Sequence, residues 1–231
     1  MMIILITGDR KGIGRYLSEY YLEKGMTVIG CSRSETDLKH KNYEHFCLDV
    51  SDEKAVKKMY GEIRQTHGRL DVLINNAGVD LSFAPILLVP YKSALRTVEI
   101  NLLGTFLMSR EAAKIMMKNS FGRIINFSSM LVKHEIKGTA IYTASKSAII
   151  SFTRVMAKEV YGYNITCNII APSAIKTDLM DSIDKDVLRD VLKRNAIQEL
   201  CKTEDISNTI DWFIKTTSNS ITGQIIYLGG V

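Results

Sequence analysis

A tyrosine and a lysine four positions apart are the residues of this sequence best suited to acid–base chemistry. Tyr142 and Lys146 lie in the segment Tyr-Thr-Ala-Ser-Lys, which in a helix places both side chains on one face, one turn apart. A tyrosine hydroxyl has a pKa of about 10, and an ammonium group within about 4–6 Å lowers that pKa by stabilising the phenolate. Such a phenol can give a proton to a carbonyl oxygen or take one from an alcohol. The same spacing also fits an exposed pair on a helix surface.

A serine precedes this pair where it can assist the same reaction. Ser129 follows an apolar run at 123–127 and comes thirteen positions before Tyr142. Its hydroxyl can hydrogen bond to a substrate oxygen and hold that oxygen against the phenol, and Ser128 is an alternative. Lys146 has further N–H donors for the hydroxyls of a ribose. We therefore predict that Ser129, Tyr142 and Lys146 act together.

A glycine-rich loop near the N-terminus indicates a site for a ligand that carries phosphate. Gly8, Gly12 and Gly14 lie in Thr-Gly-Asp-Arg-Lys-Gly-Ile-Gly, between a short apolar run and a helical pattern. Glycine lets the backbone approach a ligand closely, and the N–H groups at the start of a helix attract anions. The spacing is wider than the common G-x-G-x-x-G pattern, and a plain strand-to-helix turn is the alternative. The context favours the pyrophosphate of a dinucleotide.

The end of the next apolar run bears on the choice of dinucleotide. Arg33 follows this run, where an acidic residue would accept hydrogen bonds from a ribose 2′-hydroxyl. An arginine can instead bind a 2′-phosphate with two hydrogen bonds, and Lys11 in the glycine loop adds a second positive charge. These residues favour NADP over NAD. In the alternative interpretation both are ordinary surface charges, with Glu35 or Asp37 pairing with Arg33.

Short apolar runs that alternate with helical patterns are expected to position these residues. The runs are rich in β-branched residues and almost continuously apolar, as in strands of a parallel sheet that is covered on both faces. Asp52 stands where it can cap the helix that follows the third run. We predict one α/β domain over residues 1–231, a Rossmann-type doubly wound parallel sheet flanked by helices, and we interpret the polar segment 178–195 as a candidate substrate lid. The candidate strands are Ile3–Thr7, Thr27–Cys31, Glu44–Leu48, Val72–Asn75, Arg123–Phe127, Asn164–Ile170 and Gln224–Tyr227.

The composition excludes several other classes of protein. The 231 residues are 46% hydrophobic and 24% charged, which is ordinary for a globular domain and argues against disorder or a coiled coil. The net charge of +5 is spread along the chain, whereas nucleic-acid binders usually concentrate basic residues on one face. No apolar run approaches the roughly 18 residues that would span a bilayer, and the N-terminus lacks the features of a signal peptide.

Cysteine and histidine spacing argues against a metal centre. The four cysteines form no C-x-x-C pair, so we expect them to be buried thiols of a protein in a reducing compartment, the cytoplasm. No two of the four histidines have the spacing of metal ligands. His134 lies between Ser129 and Tyr142, where it either contacts the substrate or is an exposed loop residue.

Taken together, these motifs resemble the short-chain dehydrogenase/reductase family in its classical form. The resemblance extends over nearly the whole chain, because five ordered motifs occur at the expected separations. It includes the glycine loop, an Asn-Asn-Ala-Gly segment, the Ser-Tyr-Lys set with an additional asparagine, a segment that follows a proline, and the closing strand. The matching residues are 7–14, Asn75–Gly78, Asn101, Ser129, Tyr142, Lys146, Pro172–Thr177, Ile221–Gln224 and Gly229–Gly230.

The resemblance implies a role for each matching residue. Asn101, Ser129, Tyr142 and Lys146 would be catalytic, with Asn101 holding a water that links Lys146 to solvent. Asp49 would bind the adenine amino group, and Ile170 would contact the carboxamide end of the cofactor. The residues expected to bind the cofactor are Gly8, Arg10, Lys11, Gly12, Ile13, Gly14, Arg33, Asp49, Val50, Asn76, Ala77, Gly78, Tyr142, Lys146, Pro172, Ile175 and Thr177.

The sequence departs from the family pattern at two positions. Ser173 replaces the usual glycine after Pro172, which puts the turn near the nicotinamide in doubt. Leu228 replaces an aspartate that is common in the closing strand, which puts the packing of the C-terminal tail in doubt.

The resemblance implies an oxidoreductase that transfers a hydride between NADP(H) and a carbonyl or secondary alcohol. Within the family the chain is most similar to the 3-oxoacyl-thioester reductases, although a sugar or another small ketone fits the motifs as well. A catalytically silent NAD(P)-binding regulatory or scaffold protein is the alternative from another class. We also expect a homo-oligomer, a dimer or tetramer, with no nucleic acid, membrane or metal involved.

Overall fold

A seven-stranded parallel sheet forms the centre of the molecule. The computed structural model describes residues 2–175 and 185–230. The strand order is β3-β2-β1-β4-β5-β6-β7, so the chain runs outward in one direction from β1 and then in the other direction from β4. All pairings are parallel. The strands are β1 Ile3–Thr7, β2 Thr27–Ser32, β3 Tyr43–Cys47, β4 Val72–Asn75, β5 Gly122–Phe127, β6 Ile165–Ala171 and β7 Ile225–Tyr227.

Helices cover both faces of the sheet. One apolar cluster joins the central strands to α2, α4 and α6, and a second cluster joins them to α1 and α8. A short π-helical segment, Glu99–Gly104, connects α3 to α4. The helices are α1 Gly12–Glu23, α2 Glu53–His67, α3 Tyr91–Val98, α4 Thr105–Asn119, α5 Leu131–His134, α6 Ala140–Val160, α7 Lys185–Lys193 and α8 Thr203–Ile214.

The architecture confirms the predicted single-domain, doubly wound α/β fold. Every predicted strand is present, and its ends differ by at most one residue from the prediction. The interior strands β4, β5 and β6 are buried along their whole length, because helices lie on both of their faces. This explains why their sequences are largely apolar and rich in β-branched residues.

The expectation of four buried cysteines is wrong for two of them. Cys31 and Cys167 are buried in β2 and β6, whereas Cys47 is exposed and Cys201 is half-buried. Cys47 ends β3, which is the edge strand of the sheet and has no buried residue. All four thiols are free.

The candidate lid at 178–195 lies partly outside the described residues. Within its described part, α7 extends over Lys185–Lys193, and Val191 is buried. Across the described parts of the chain, the helices are too short or too polar to cross a membrane.

The start of α2 provides a test of local stability. The Asp52 carboxylate accepts hydrogen bonds from the backbone N–H groups of Lys54 and Ala55, at 2.9 and 3.1 Å. We expect Asp52→Ala to lower the free energy of unfolding by about 1 kcal/mol and the melting temperature by roughly 2–4 °C, measured by calorimetry. Asp52→Asn keeps an acceptor at this position and should lose much less. An equal loss in the two variants would contradict the capping role.

Candidate active site

The candidate site lies along the carboxyl edge of the sheet. The strand order reverses between β1 and β4, and in open α/β sheets a ligand crevice forms outside the strand ends at such a point. The loops that follow β1, β4, β5 and β6 all emerge at this edge. They carry the glycine loop, the Asn-Asn-Ala-Gly segment, Ser129 and Pro172, which are far apart in the sequence.

The glycine loop has the backbone geometry that its sequence predicts. Gly8 has φ +70°, a conformation that side chains rarely adopt, and its N–H donates to the carbonyl oxygen of Cys31 at 2.7 Å. Gly14 is buried, and a Cβ there would collide with the carbonyl oxygen of Gly8. The loop therefore packs tightly, and α1 begins at Gly12, so that its first residues, Gly12 and Ile13, line the crevice. Lys11 precedes the helix and has no side-chain acceptor that could cap these groups.

The segment after β4 holds the glycine loop in place. Asn76 Nδ2 donates to the carbonyl oxygen of Thr7 at 2.9 Å, and the N–H of Ala77 donates to Thr7 Oγ1 at 2.9 Å. Asn75 points into the protein, where its Nδ2 lies 2.9 Å from Ser109 Oγ and 2.8 Å from Asn126 Oδ1. Asn75 thus connects β4 to α4 and β5 by hydrogen bonds, and Asn76 connects the end of β4 to the glycine loop.

A cleft of about 450 Å³ extends from the glycine loop across the ends of β2 and β3. Its shape and its helix N-terminus suit the adenosine and pyrophosphate portion of a dinucleotide. Gly14 lies behind its wall rather than on its surface. The cleft brings together most of the residues that we expected to bind a cofactor: Gly8, Arg10, Lys11, Gly12, Ile13, Arg33, Asp49, Val50, Asn76, Ala77 and Gly78.

Arg33 is exposed at the rim of this cleft and, within the described residues, has no ion-pair partner. The alternative that Asp37 pairs with it is wrong, because Asp37 instead binds Arg15, with Oδ1 2.5 Å from the guanidinium. Asp49 is already engaged: its carboxylate accepts hydrogen bonds from Ser51 and pairs with Arg96. Arg33 is therefore available to a ligand, whereas Asp49 would have to share its oxygens with Arg96.

A second pocket of about 240 Å³ joins the first. Both are lined by Ile13, Asn76, Gly78 and Val79, so the two form one continuous crevice. The second pocket brings together the residues predicted for the reacting end: Ser129, Tyr142, Lys146, Pro172 and Ile175. Thr177 lies outside the described residues. Ile170 is buried in β6 and does not line this pocket.

Tyr142 and Lys146 lie on the first turns of α6, with Lys146 Nζ 5.8 Å from the centre of the tyrosine ring. We expected the ammonium to lower the pKa of the phenol. Instead, burial raises the pKa of Tyr142 to about 12, although the nearby Ser129 hydroxyl lowers it, and the charge of Asp80 raises it further. Burial also lowers the pKa of Lys146 to about 8. Burial is the largest cause of the pKa shift in both groups, because it removes the hydration that stabilises the charged form.

Hydrogen bonds to the backbone fix the position of Lys146. Its Nζ donates to the carbonyl oxygen of Phe127 at 3.0 Å, and its own carbonyl oxygen accepts from Ser128 Oγ at 2.9 Å. Ser128 therefore supports the lysine, and Ser129 is the serine close to Tyr142. The residue pattern alone left Ser128 open as an alternative, and the structure places Ser129, the serine implied by the resemblance, beside Tyr142.

Asn101 is fully buried in the π-helical segment, a form that is frequent at functional sites. Its Oδ1 accepts from the N–H of Val79 at 2.9 Å, and its Nδ2 donates to the carbonyl oxygen of Val79 and to Ser145 Oγ. Asn101 thus connects the loop after β4 to α6. A Cβ built at Gly78 would lie 3.2 Å from Lys146 Nζ and 3.4 Å from Asn101 Oδ1, so all three residues meet at one point.

The two departures from the family pattern are accommodated without strain. Ser173 has no positive φ, and its Oγ accepts a hydrogen bond from Asn195 Nδ2 at 2.6 Å. Leu228 packs against the apolar cluster beneath α1 and α8. His134 is neither exposed nor in the pocket: it is buried, with Nε2 2.7 Å from Asn195 Oδ1.

Two residues of the site were missed in the sequence. Ser145 lies inside the Tyr-x-x-x-Lys segment and bridges Asn101 to the carbonyl oxygen of Tyr142. Asp80 lines the reacting pocket two positions after Gly78. A polar residue so close to the carboxyl end of a central strand was the signal that could have identified Asp80.

Comparisons with known proteins agree with this geometry. A family model described as short chain dehydrogenase matches residues 2–188. The 3-oxoacyl-[acyl-carrier-protein] reductase FabG of Escherichia coli (strain K12) is 30% identical over 234 residues, which cover 99% of this chain and 96% of that protein. A solved 4-hydroxyisoleucine dehydrogenase complexed with NADH is 29% identical with a TM-score of 0.88, covering 100% of this chain and 98% of its own. ElxO with NADP bound is 30% identical with a TM-score of 0.89, and the match covers 98% of this chain and 96% of that chain.

Proposed function

The chain belongs to the short-chain dehydrogenase/reductase family of oxidoreductases, which use a nicotinamide cofactor, and on that premise we propose that it transfers a hydride between NADP(H) and a ketone or secondary alcohol. One observation carries the proposal. Ser129, Tyr142 and Lys146 line a pocket that opens directly into the cleft of the glycine loop. A dinucleotide held in that cleft would place its reactive end beside the phenol.

Each side chain then has a defined task. The bound cofactor supplies or accepts the hydride. In the reducing direction the Tyr142 phenol donates its proton to the carbonyl oxygen, and Ser129 Oγ donates a hydrogen bond to the same oxygen. In the oxidising direction the Tyr142 phenolate takes the proton of the alcohol. A pKa of about 12 keeps the phenol protonated at neutral pH, which suits the reducing direction.

Lys146 has two tasks in this proposal. Its positive charge favours the phenolate when Tyr142 loses its proton, and its N–H groups bind the ribose of the cofactor. Asn101 is the positioning residue that holds Val79 and Ser145 around it. We propose that a water at the meeting point of Lys146, Asn101 and Gly78 returns the proton from solvent.

Arg33 and Lys11 support NADP as the preferred cofactor. Both line the adenosine end of the cleft, and the Arg33 guanidinium has no carboxylate partner among the described side chains. A 2′-phosphate would provide that partner through two charge-assisted hydrogen bonds.

A 3-oxoacyl thioester is the first substrate to test, because the E. coli relative is named for reducing 3-oxoacyl-[acyl-carrier-protein]. The test follows NADPH or NADH oxidation at 340 nm with a panel that includes a 3-oxoacyl thioester, hydroxy ketones, simple ketones and sugars. Turnover of any of them supports the proposal. Cofactor binding without turnover of the whole panel would instead favour the silent regulatory protein.

We also propose a cytoplasmic homo-oligomer. The four free thiols support a reducing compartment. An exposed apolar patch of Ile86, Leu87, Leu88 and Tyr91, in which Leu87 is 94% exposed, precedes and begins α3. Contiguous exposed apolar residues of this kind mark interaction surfaces, and a second copy of the chain is the partner that we propose.

The two directions of the reaction should respond differently to pH. Oxidation needs the Tyr142 phenolate, whose fraction grows about tenfold per pH unit below the pKa of about 12. We therefore expect kcat/KM for oxidation to rise between pH 6 and 8. Reduction should be flat over that range and decline above the Lys146 pKa of about 8. Initial rates measured in both directions test this.

Two serine variants provide the control. Ser129 lowers the Tyr142 pKa, so Ser129→Ala should move the oxidation profile to higher pH. Ser128→Ala removes a hydrogen bond to the backbone carbonyl of Lys146, but Ser128 does not act on the pKa of Tyr142, so this variant should leave the pH position of the profile unchanged even if the rate falls. An oxidation rate that is flat or falls with pH would contradict the proposed base.

A further inference from the structure

We propose that Asp80 selects substrates with a hydrogen-bond donor, a hydroxyl or an ammonium group, on the carbon beside the reacting carbon. The inference rests on the proposed hydride transfer and narrows its substrate class. It starts from the position of Asp80 in the wall of the pocket that contains Ser129, Tyr142 and Lys146.

The loop after β4 holds the Asp80 carboxylate in a fixed orientation. Oδ1 accepts hydrogen bonds from the backbone N–H and the hydroxyl of Ser82, at 3.1 and 3.3 Å. Ser82 is itself buried. Oδ2 receives no hydrogen bond from the described residues, although a carboxylate oxygen can accept two. One oxygen is thus used to orient the group, and the other is left for a ligand in the pocket.

Without a bound hydrogen-bond donor, the charged form of Asp80 is unfavourable, and its charge also disfavours the Tyr142 phenolate. Asp80 is half-buried, and burial raises its pKa despite the hydrogen bonds from Ser82. Its negative charge also raises the pKa of Tyr142, which opposes formation of the phenolate. A donor hydrogen on the substrate would satisfy Oδ2 and offset both effects, because a hydrogen bond to a charged group is stronger than one between neutral groups.

The remaining walls limit what that substrate can be. Lys146 is the cation among the described lining residues, and its Nζ already donates to the carbonyl oxygen of Phe127. An anionic group on the substrate would therefore meet the unpaired charge of Asp80. The apolar walls suit a short hydrocarbon chain, and they are formed by Phe83, Met130, Leu131, Leu188 and Val191. The pocket fits a neutral or cationic hydroxy- or amino-substituted alcohol or ketone.

Three alcohols of one shape test the contact. Butane-1,2-diol, 1-aminobutan-2-ol and pentan-3-ol differ only in whether the carbon beside the reacting carbon carries a hydroxyl, an ammonium or a methyl group. With NADP⁺ and the full-length enzyme, we expect kcat/KM for the diol and for the amino alcohol to exceed that for pentan-3-ol at least about tenfold. Different values for the diol and the amino alcohol would tell which donor is preferred. Equal values for all three, or a preference for pentan-3-ol, would overturn the proposal.

The variant Asp80→Asn separates recognition from chemistry. It retains the acceptor for Ser82 but replaces Oδ2 by a donor. The ratio of kcat/KM between the diol and pentan-3-ol should fall at least about tenfold, and taking this ratio removes any effect of the variant on Tyr142. Asp211→Asn, at an ion pair with Lys24 on the surface, is the matched control and should keep the ratio. An unchanged ratio in Asp80→Asn would overturn the proposal.

Failure of the underlying hydride transfer gives a different result. If neither the alcohols nor any ketone of the panel supports turnover with either cofactor, the proposed function is wrong. Calorimetric titration of the diol and pentan-3-ol into the enzyme with NADP⁺ then tests the contact by itself, and equal affinities would overturn it. A 3-oxobutanoyl thioester has no donor beside its ketone, so its turnover should not fall in Asp80→Asn.

Discussion

Replacement of Tyr142 by phenylalanine is expected to lower kcat for ketone reduction by about 100- to 10,000-fold, the usual contribution of a positioned general acid. The phenol is the acid in the pocket that has both a proton at neutral pH and a position beside Ser129. Phenylalanine keeps the ring that packs at the start of α6 and removes only the hydroxyl. The affinity for NADPH, measured by fluorescence titration, should therefore change little while turnover is lost.

Tyr161→Phe is the matched control for this substitution. Tyr161 is 52% exposed beyond the end of α6, away from both pockets, and loss of its hydroxyl should leave kcat unchanged. Retention of more than about a tenth of the wild-type kcat in Tyr142→Phe would show that another group supplies the proton, since a general acid contributes at least about 100-fold. A parallel loss of NADPH affinity would indicate damage to the cleft instead.

The fold could be predicted almost completely because its signals are local. A parallel strand that is covered on both faces is mostly apolar, and β4, β5 and β6 are buried along their whole length, with polar side chains only at Asn75, Arg123, Asn126, Thr166 and Asn168. The cap at Asp52 follows from the same local physics. The cysteine prediction failed at Cys47 because edge and central strands look alike until their order in the sheet is known.

Most residues of the site could be predicted from the sequence, but their pKa values and ion-pair partners could not. Most candidates within the described residues line the crevice at the carboxyl edge of the sheet, because strand ends determine where the loops emerge; Ile170, buried within β6, does not. The sequence could not show that burial outweighs the lysine in setting the Tyr142 pKa, because desolvation depends on residues from many elements. It also could not show that Asp37 binds Arg15 and leaves Arg33 unpaired, because Arg15 is 22 positions from Asp37 in the chain and only the fold brings the two together.

The unpaired guanidinium of Arg33 is expected to determine the preference for NADPH over NADH. We expect Arg33→Asp to lower the ratio of kcat/KM with NADPH to kcat/KM with NADH by about 100-fold or more. Arg33 lies at the adenosine end of the cleft and, in the described structure, has no carboxylate beside it. The substitution removes two charge-assisted hydrogen bonds to the 2′-phosphate, and bonds to charged groups contribute roughly 1.5–3 kcal/mol each. The new carboxylate also repels the phosphate and can accept hydrogen bonds from the ribose hydroxyls of NADH.

Lys39→Asp distinguishes this contact from a general change of charge. Lys39 is exposed in the same loop after β2 but does not line the cleft, so the same change of charge there should shift the ratio only slightly, and less in high salt. Titration with adenosine 2′,5′-bisphosphate isolates the 2′-phosphate from the nicotinamide, and its affinity should fall in Arg33→Asp alone. If the wild-type enzyme prefers NADH, or if both variants change the ratio equally, Arg33 does not recognise the 2′-phosphate. In that case Arg33 and Lys11 would only attract the pyrophosphate through their positive charge, without binding the 2′-phosphate.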